Sequence, residues 1–292
     1  MKALSDLNFA FFGTPDFAVS FLDELEKSGL KPALVISMPD KPKGRKLILT
    51  SPPVKIWAEK RGIPVLQPEK LDSDFISKLK TIDYKLFIVA AYGKMIPKEI
   101  LDIPERGVLN IHPSLLPRLR GASPIESSIL NDERPTGVSL MLMNEKMDEG
   151  PILAQEELPI KKWPKAPELS DTLARMGARL LAKIIPDWLS GELVPKEQDE
   201  SKATYCQKIK KEDGLVDISG DPELNYRKFL AYAPWPGIYF FLNGMRVKIT
   251  DADLLNIECL TGRFVVKKVI PAGRKEMSYE DFKRGLGKNR QL

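Results

Sequence analysis

Imidazole and thiol are nearly missing from this chain, which holds a single histidine, His112, and two cysteines, Cys206 and Cys259, in 292 residues. Neither cysteine has partners at metal-ligand spacing, so a disulfide scaffold and a cysteine-based zinc site are excluded. Two lone thiols suit a reducing cytoplasm, the expected location. Long apolar runs are missing as well. The longest clean one, 86–92, falls far short of the roughly 20 residues that a membrane-spanning helix needs. The opening stretch MKALSDLNFAFFGTPDF has no charged-then-apolar segment with a cleavage site, so export is not expected. Its GTP is a coincidence of spelling. No phosphate-cradling lysine follows, and the first turn lacks the G-x-G-x-x-G of a dinucleotide site, which disfavours a nicotinamide oxidoreductase.

What is present is an ordinary globular composition, 43% hydrophobic and 29% charged, with ample material for a buried core. A chain of 292 residues exceeds what one α/β core usually holds, so a large domain and a smaller one are expected. Charge is unevenly spread. Residues 1–202 carry 29 Lys/Arg against 29 Asp/Glu, whereas residues 203–292 carry 16 against 11. The whole excess of +5 therefore sits in the last third. Taken alone, that excess suits a solvated surface as well as it suits a basic appendage for an anionic partner such as RNA.

The first half alternates strands and helices. Strands are expected at 7–12, 32–37, 63–66, 86–91, 107–111 and 137–143, the 86–91 run being apolar on both faces as a central parallel strand is. Thr14 is expected to cap a first helix with Pro15 at its first position, and Phe17, Phe21, Leu22 and Leu25 follow at helical spacing. Further helices are expected from Pro53, near 123–130, and along the face Leu173, Met176, Leu180, Leu181, Ile184, Ile185 and Leu189. This rhythm predicts an α/β fold, a Rossmann-like doubly wound sheet over 1–189. A polar linker over 190–204 then leads to a domain at 205–292, where short β-like runs suggest a small barrel or sandwich.

If imidazole chemistry occurs here, His112 performs it. Asn110 and His112 stand two apart at the end of a predicted strand, so they share a face, with Ile111 opposite. Ligands of open α/β sheets collect beyond the carboxyl ends of strands, and a long loop, PSLLPRLRG, follows here. A lone histidine closing a strand is more often structural; the shared face and the loop favour a site. Asp148, after the strand at 137–143, is by itself a turn residue before Gly150. It is expected at the same end of the sheet, where it would pair with His112.

The run NIHPSLLPRLRGASPI and the downstream MDEGPIL resemble the signature of the folate-dependent formyltransferases. FFGTPDFA, PDKPKGRKL, PWPG and PAGRKEMS resemble the members that act on initiator methionyl-tRNA. The resemblance runs from about residue 9 to 282. It implies a formyltransferase fold with a C-terminal OB-like β-barrel that binds tRNA, and transfer of formyl from 10-formyltetrahydrofolate to the methionine amine, without a metal, for translation initiation. Asn110, His112 and Asp148 match the family's catalytic trio. Asn110 and His112 would donate to the oxyanion that forms on the formyl oxygen, while Asp148 orients the ring and helps relay the amine's proton. Ser114, Leu115, Leu116 and Pro117 match the stretch lining the folate cleft, with 90–97 as a neighbouring wall. Arg118 and Arg120 stay open between solvated charges and ligand contacts.

The loop DKPKGRKLILT at 40–50 reads by composition as a solvated basic loop, and by resemblance as the insertion that meets the acceptor stem. Arg45 would then read or stack on a base, and Lys41, Lys43 and Lys46 would attract phosphate. Between 250 and 271 the chain is shorter than the family pattern, so a reduced or open barrel is expected. No membrane partner is expected, and the chain should act as a monomer. Three alternatives stay open: a small-amine acceptor, hydrolysis with water as acceptor, and a non-catalytic RNA-binding protein on a retired enzyme fold.

Overall fold

The computed structural model describes residues 7–44, 47–257 and 260–288; Arg45, Lys46 and Cys259 lie outside them. The chain divides into two compact units. One comprises Met1–Pro124, Pro135–Pro159 and Ser170–Cys206, the other Ile125–Arg134, Ile160–Leu169 and Gln207–Leu292.

The first unit is built on β1 (Phe9–Gly13), α1 (Asp16–Lys27), β2 (Leu34–Ile36), β3 (Lys41–Lys43), β4 (Ile48–Thr50), α2 (Pro53–Glu59), β5 (Val65–Leu66), α3 (Ser73–Leu79), β6 (Leu86–Ala90), α4 (Lys98–Leu101) and β7 (Val108–His112). β8 (Arg120–Gly121), β9 (Thr136–Leu142), β10 (Ile152–Leu158), all but the first turn of α6 (Ala166–Ser190) and β11 (Tyr205–Cys206) follow, whereas α5 (Pro124–Leu130) falls in the second unit but for its first residue. Seven strands form one sheet in the order β10-β9-β7-β6-β1-β2-β5. β1, β6 and β7 are buried at every position. Strands covered on both faces read as unbroken apolar runs, which is why their sequence announced them.

Two departures from the sequence reading matter for the site. β9 runs antiparallel to β7, pairing Leu109 with Leu142 and His112 with Ser139. Its far end therefore lies against the start of β7, not beyond the end of it. The loop carrying Asp148 leaves at that opposite end and has to double back to reach His112. β10 then returns antiparallel along β9; its polar, exposed Gln155-Glu156-Glu157 run hid an edge strand in the sequence. Thr14, for its part, is not a helix cap, because Pro15 occupies that place with no side-chain bond. Its hydroxyl donates to the Tyr92 carbonyl and accepts from the Met38 amide, tying together the chain beyond β6 and β2.

The second unit holds α7 (Pro222–Ala231), β12 (Tyr239–Leu242), β13 (Met245–Ile257), β14 (Leu260–Pro271), β15 (Met277–Ser278) and α8 (Tyr279–Lys288). Its sheet is antiparallel in the order β12-β13-β14-β15, so β12 and β15 are its edges among the described residues. The shortened stretch of sequence is a single long hairpin, β13 with β14. Ahead of α7, Leu215 makes only an isolated bridge, to Tyr239.

Candidate active site

Asn110 and His112 occupy alternate positions of β7 and face the returning loop 143–151. Asn110 Nδ2 lies 3.5 Å from Asp148 Oδ1, and His112 Nδ1 lies 3.7 Å from the same oxygen. Amide, imidazole and carboxylate thus converge on one point. Asn110 is 9% and His112 4% exposed, so their polar atoms act in surroundings with little water, where each interaction is stronger than in solvent.

The ring's tautomer follows from its other nitrogen. Nε2 lies 2.9 Å from the Leu119 carbonyl oxygen, and a carbonyl only accepts, so Nε2 carries a proton whenever this bond is kept. Nδ1 is the nitrogen that faces Asp148.

The segments holding these groups are strained. Leu119 and Asp148 both adopt left-handed backbone, with φ of 59° and 56°, which costs a non-glycine residue on the order of 1–2 kcal/mol. Such strain persists only where the surroundings over-determine it. Gly121, with φ of 117°, donates its amide to Asp148 Oδ2 at 2.8 Å. A Cβ there would come 2.2 Å from the Cys206 carbonyl oxygen, so only glycine fits between that strand and the carboxylate.

Ser114, Leu115, Leu116 and Pro117 lie in the loop after β7, and most of their polar groups are already bonded to the loop or to neighbouring strands. The Ser114 hydroxyl donates to the Arg118 carbonyl at 2.6 Å. Ser139, on β9, donates to Ser114 O and accepts from the Leu116 amide, while Gln155 donates to Ser139 Oγ and Leu116 O. Ser139 and Gln155 escaped the sequence reading because a serine and a glutamine in strands carry no motif. In the 90–97 stretch, Ala91 is left-handed and Tyr92 turns into the core against Phe12. Burial pushes the Tyr92 hydroxyl up to about 12.

Arg120 meets neither expectation offered for it. It is fully buried, and its guanidinium binds Gln198 Oε1 and the Glu200 carboxylate at 2.6–3.0 Å. Lys41 and Lys43 stand exposed on β3, which pairs with β4 in a hairpin where a loop was expected. Its base is fixed by Asp40, whose carboxyl is held below its ordinary range by hydrogen bonds from Gln67 and Lys55. Leu47, Ile48 and Leu49, near the tip, are 62–72% exposed. Among the described residues no His/Cys/Asp/Glu group could hold a metal ion, and no helix is long and apolar enough to cross a membrane.

A mixed sheet of this order followed by an antiparallel C-terminal sheet is the architecture of formyl-group transferases. Residues 7–185 match the family described as Formyl transferase, and residues 208–258 match Formyl transferase, C-terminal domain; the chain belongs to this family. Relatives there include proteins named methionyl-tRNA formyltransferase. That of Bacillus licheniformis is 41% identical over 95% of this chain and 94% of its own, and that of Thermodesulfovibrio yellowstonii is 39% identical over 93% and 94%. Among solved structures, methionyl-tRNA formyltransferase from Clostridium thermocellum superposes with a TM-score of 0.58 at 17% identity, covering 91% of this chain and 98% of that one. A sugar N-formyltransferase from a Shewanella species gives 0.64 at 21%, covering 86% and 99%. At such identities the structural matches speak for the fold alone.

Proposed function

We propose that the chain transfers the formyl group of 10-formyltetrahydrofolate to the free amine of methionine on initiator methionyl-tRNA, in the cytoplasm and as a monomer. The observation that carries this reading is the convergence of Asn110 Nδ2 and His112 Nδ1 on Asp148 Oδ1, at 3.5 and 3.7 Å, in a chain whose full-length relatives carry that name.

The chemistry joins the amine nitrogen to the formyl carbon and breaks that carbon's bond to the carrier nitrogen. Bound folate supplies a formyl group already activated on nitrogen, so no other activation is needed. Asn110 Nδ2 and the proton on His112 Nδ1 serve as fixed donors to the oxyanion, which costs no reorganisation as charge develops. Asp148 Oδ1 holds the ring and takes up the proton shed by the attacking amine, which passes to the departing carrier nitrogen. The loop 114–117 shapes the donor cleft through its conformation, because Ser114 and Leu116 are buried and already bonded to protein.

The exposed hairpin β3–β4 serves the acceptor. Lys41, Lys43, Arg45 and Lys46 supply positive charge to RNA phosphate, and Arg45 also offers a planar face to a base. The contiguous apolar residues Leu47 to Leu49 give that surface something to stack or wedge with. Exposed Lys202, Lys208, Lys210 and Lys211 extend the basic character. The test is a transfer assay with 10-formyltetrahydrofolate against aminoacylated initiator tRNA, small amines and water. Formyl-methionyl-tRNA is the expected product; formate release alone, or preference for a small amine, overturns the reading.

A further inference from the structure

Residues 196–206 join one unit to the other, yet they lie along the candidate site as a strap. Lys196 pairs with Ile152 in an antiparallel bridge, and β11 pairs with β8 in parallel. Thr204 takes both neighbouring amides of the loop: its carbonyl accepts from Arg120 N, and its hydroxyl accepts from Leu119 N. Leu119 is the residue whose carbonyl fixes His112.

The strap's other contact is with the loop of Asp148. Gln198 Nε2 donates to the carbonyls of Asp148 and Gly150, at 2.8 and 2.7 Å. Its Oε1 accepts twice from Arg120, at 3.0 and 2.9 Å. Every strong hydrogen-bonding direction of the amide is therefore used. Arg120 is itself immobilised by Glu200 and faces Glu149 at 3.9 Å. Asp148 holds an unfavourable left-handed backbone, and the carbonyl that Gln198 grips is its own.

We infer that Gln198 is a positioning residue for formyl transfer, clamping the Asp148–Gly150 backbone so that Asp148 meets Asn110 and His112. Nothing in the reading above requires it to touch either substrate. The inference rests on that reading for the identity of the reaction but not for the geometry. A displacement of about 1 Å in a reacting group costs on the order of 100-fold in rate.

Gln198→Glu separates clamp from scaffold. It keeps, and charges, the acceptor facing Arg120, but it removes both donors to the loop and sets a carboxylate against two carbonyls. The expected result is a protein that still folds cooperatively, with kcat lowered about 10- to 100-fold and KM for donor and tRNA within about twofold. In an Asp148→Asn background the same change should cost nothing further, since the clamp acts only through Asp148. Wild-type activity with an equally active Gln198→Glu overturns the inference, as does a full multiplicative loss in the double variant. An inactive wild type overturns the functional reading instead. The clamp is then judged by the Gly121 amide resonance, which must shift in Gln198→Glu because its acceptor is Asp148 Oδ2; an unmoved resonance sinks it.

Discussion

At the scale of single residues, the chain places its one imidazole with one nitrogen committed to the protein and the other facing the carboxylate. Nε2 is bound to Leu119 O, and Nδ1 looks toward Asp148. His112→Ala should lower kcat by at least about 100-fold, and Asn110→Ala by about 100- to 1,000-fold, the usual cost of one oxyanion donor. Tm and tRNA affinity should stay near wild type in both. Single-turnover rates with saturating tRNA provide the check, and full activity in either variant removes that residue from the mechanism. The asparagine–histidine pair was legible in the sequence because period-two alternation is a strong rule. The partnership of Arg120 with Gln198 and Glu200 was not, since nothing local in a sequence marks a contact across roughly eighty residues.

Elements show what braces this geometry. Gly177 lies in the middle of α6, where a Cβ would come 2.7 Å from Ile111 Cγ2 and 3.2 Å from Val138 Cγ2. Ile111 is the residue between Asn110 and His112, and its β-branched side chain cannot easily turn away. Gly177→Ala gains about 1 kcal/mol of helix propensity but incurs about 1–3 kcal/mol of overpacking. A net loss is expected, read as a lower urea midpoint together with reduced kcat; a raised midpoint would show that the sheet yields. α6 was readable from its heptad-like face, and β1, β6 and β7 from their apolar runs. α3, α4 and β10 escaped because short helices and polar edge strands leave faint periodicity. In the strap, the Arg120 guanidinium holds the Glu200 carboxyl below its ordinary value of 4.5. A depressed carboxyl contributes stability that is complete above that ordinary value and fades as pH falls through the lowered one. The Tm difference between wild type and Glu200→Gln should accordingly shrink on acidification below about pH 4.5. A difference constant with pH would exclude the ion pair as its source.

For the whole molecule the governing quantity is charge placement. Lys41 and Lys43 share one side of the β3–β4 hairpin by strand alternation, and the last third of the chain carries all the excess positive charge. KM for tRNA should rise steeply with salt while KM for the folate donor stays flat, and Lys41→Ala or Lys43→Ala should each reduce the salt slope by about one. Equal slopes in wild type and variants would detach the hairpin from RNA. The strap has a bearing on how such a chain can be divided. A border drawn at the end of α6, where composition turns polar, would cut away Gln198, Glu200 and Thr204 and leave a sheet that folds around a slack reaction centre. Anyone excising the sheet-bearing unit should carry the cut through Cys206, since the connector braces the very loops it would otherwise be taken merely to tether.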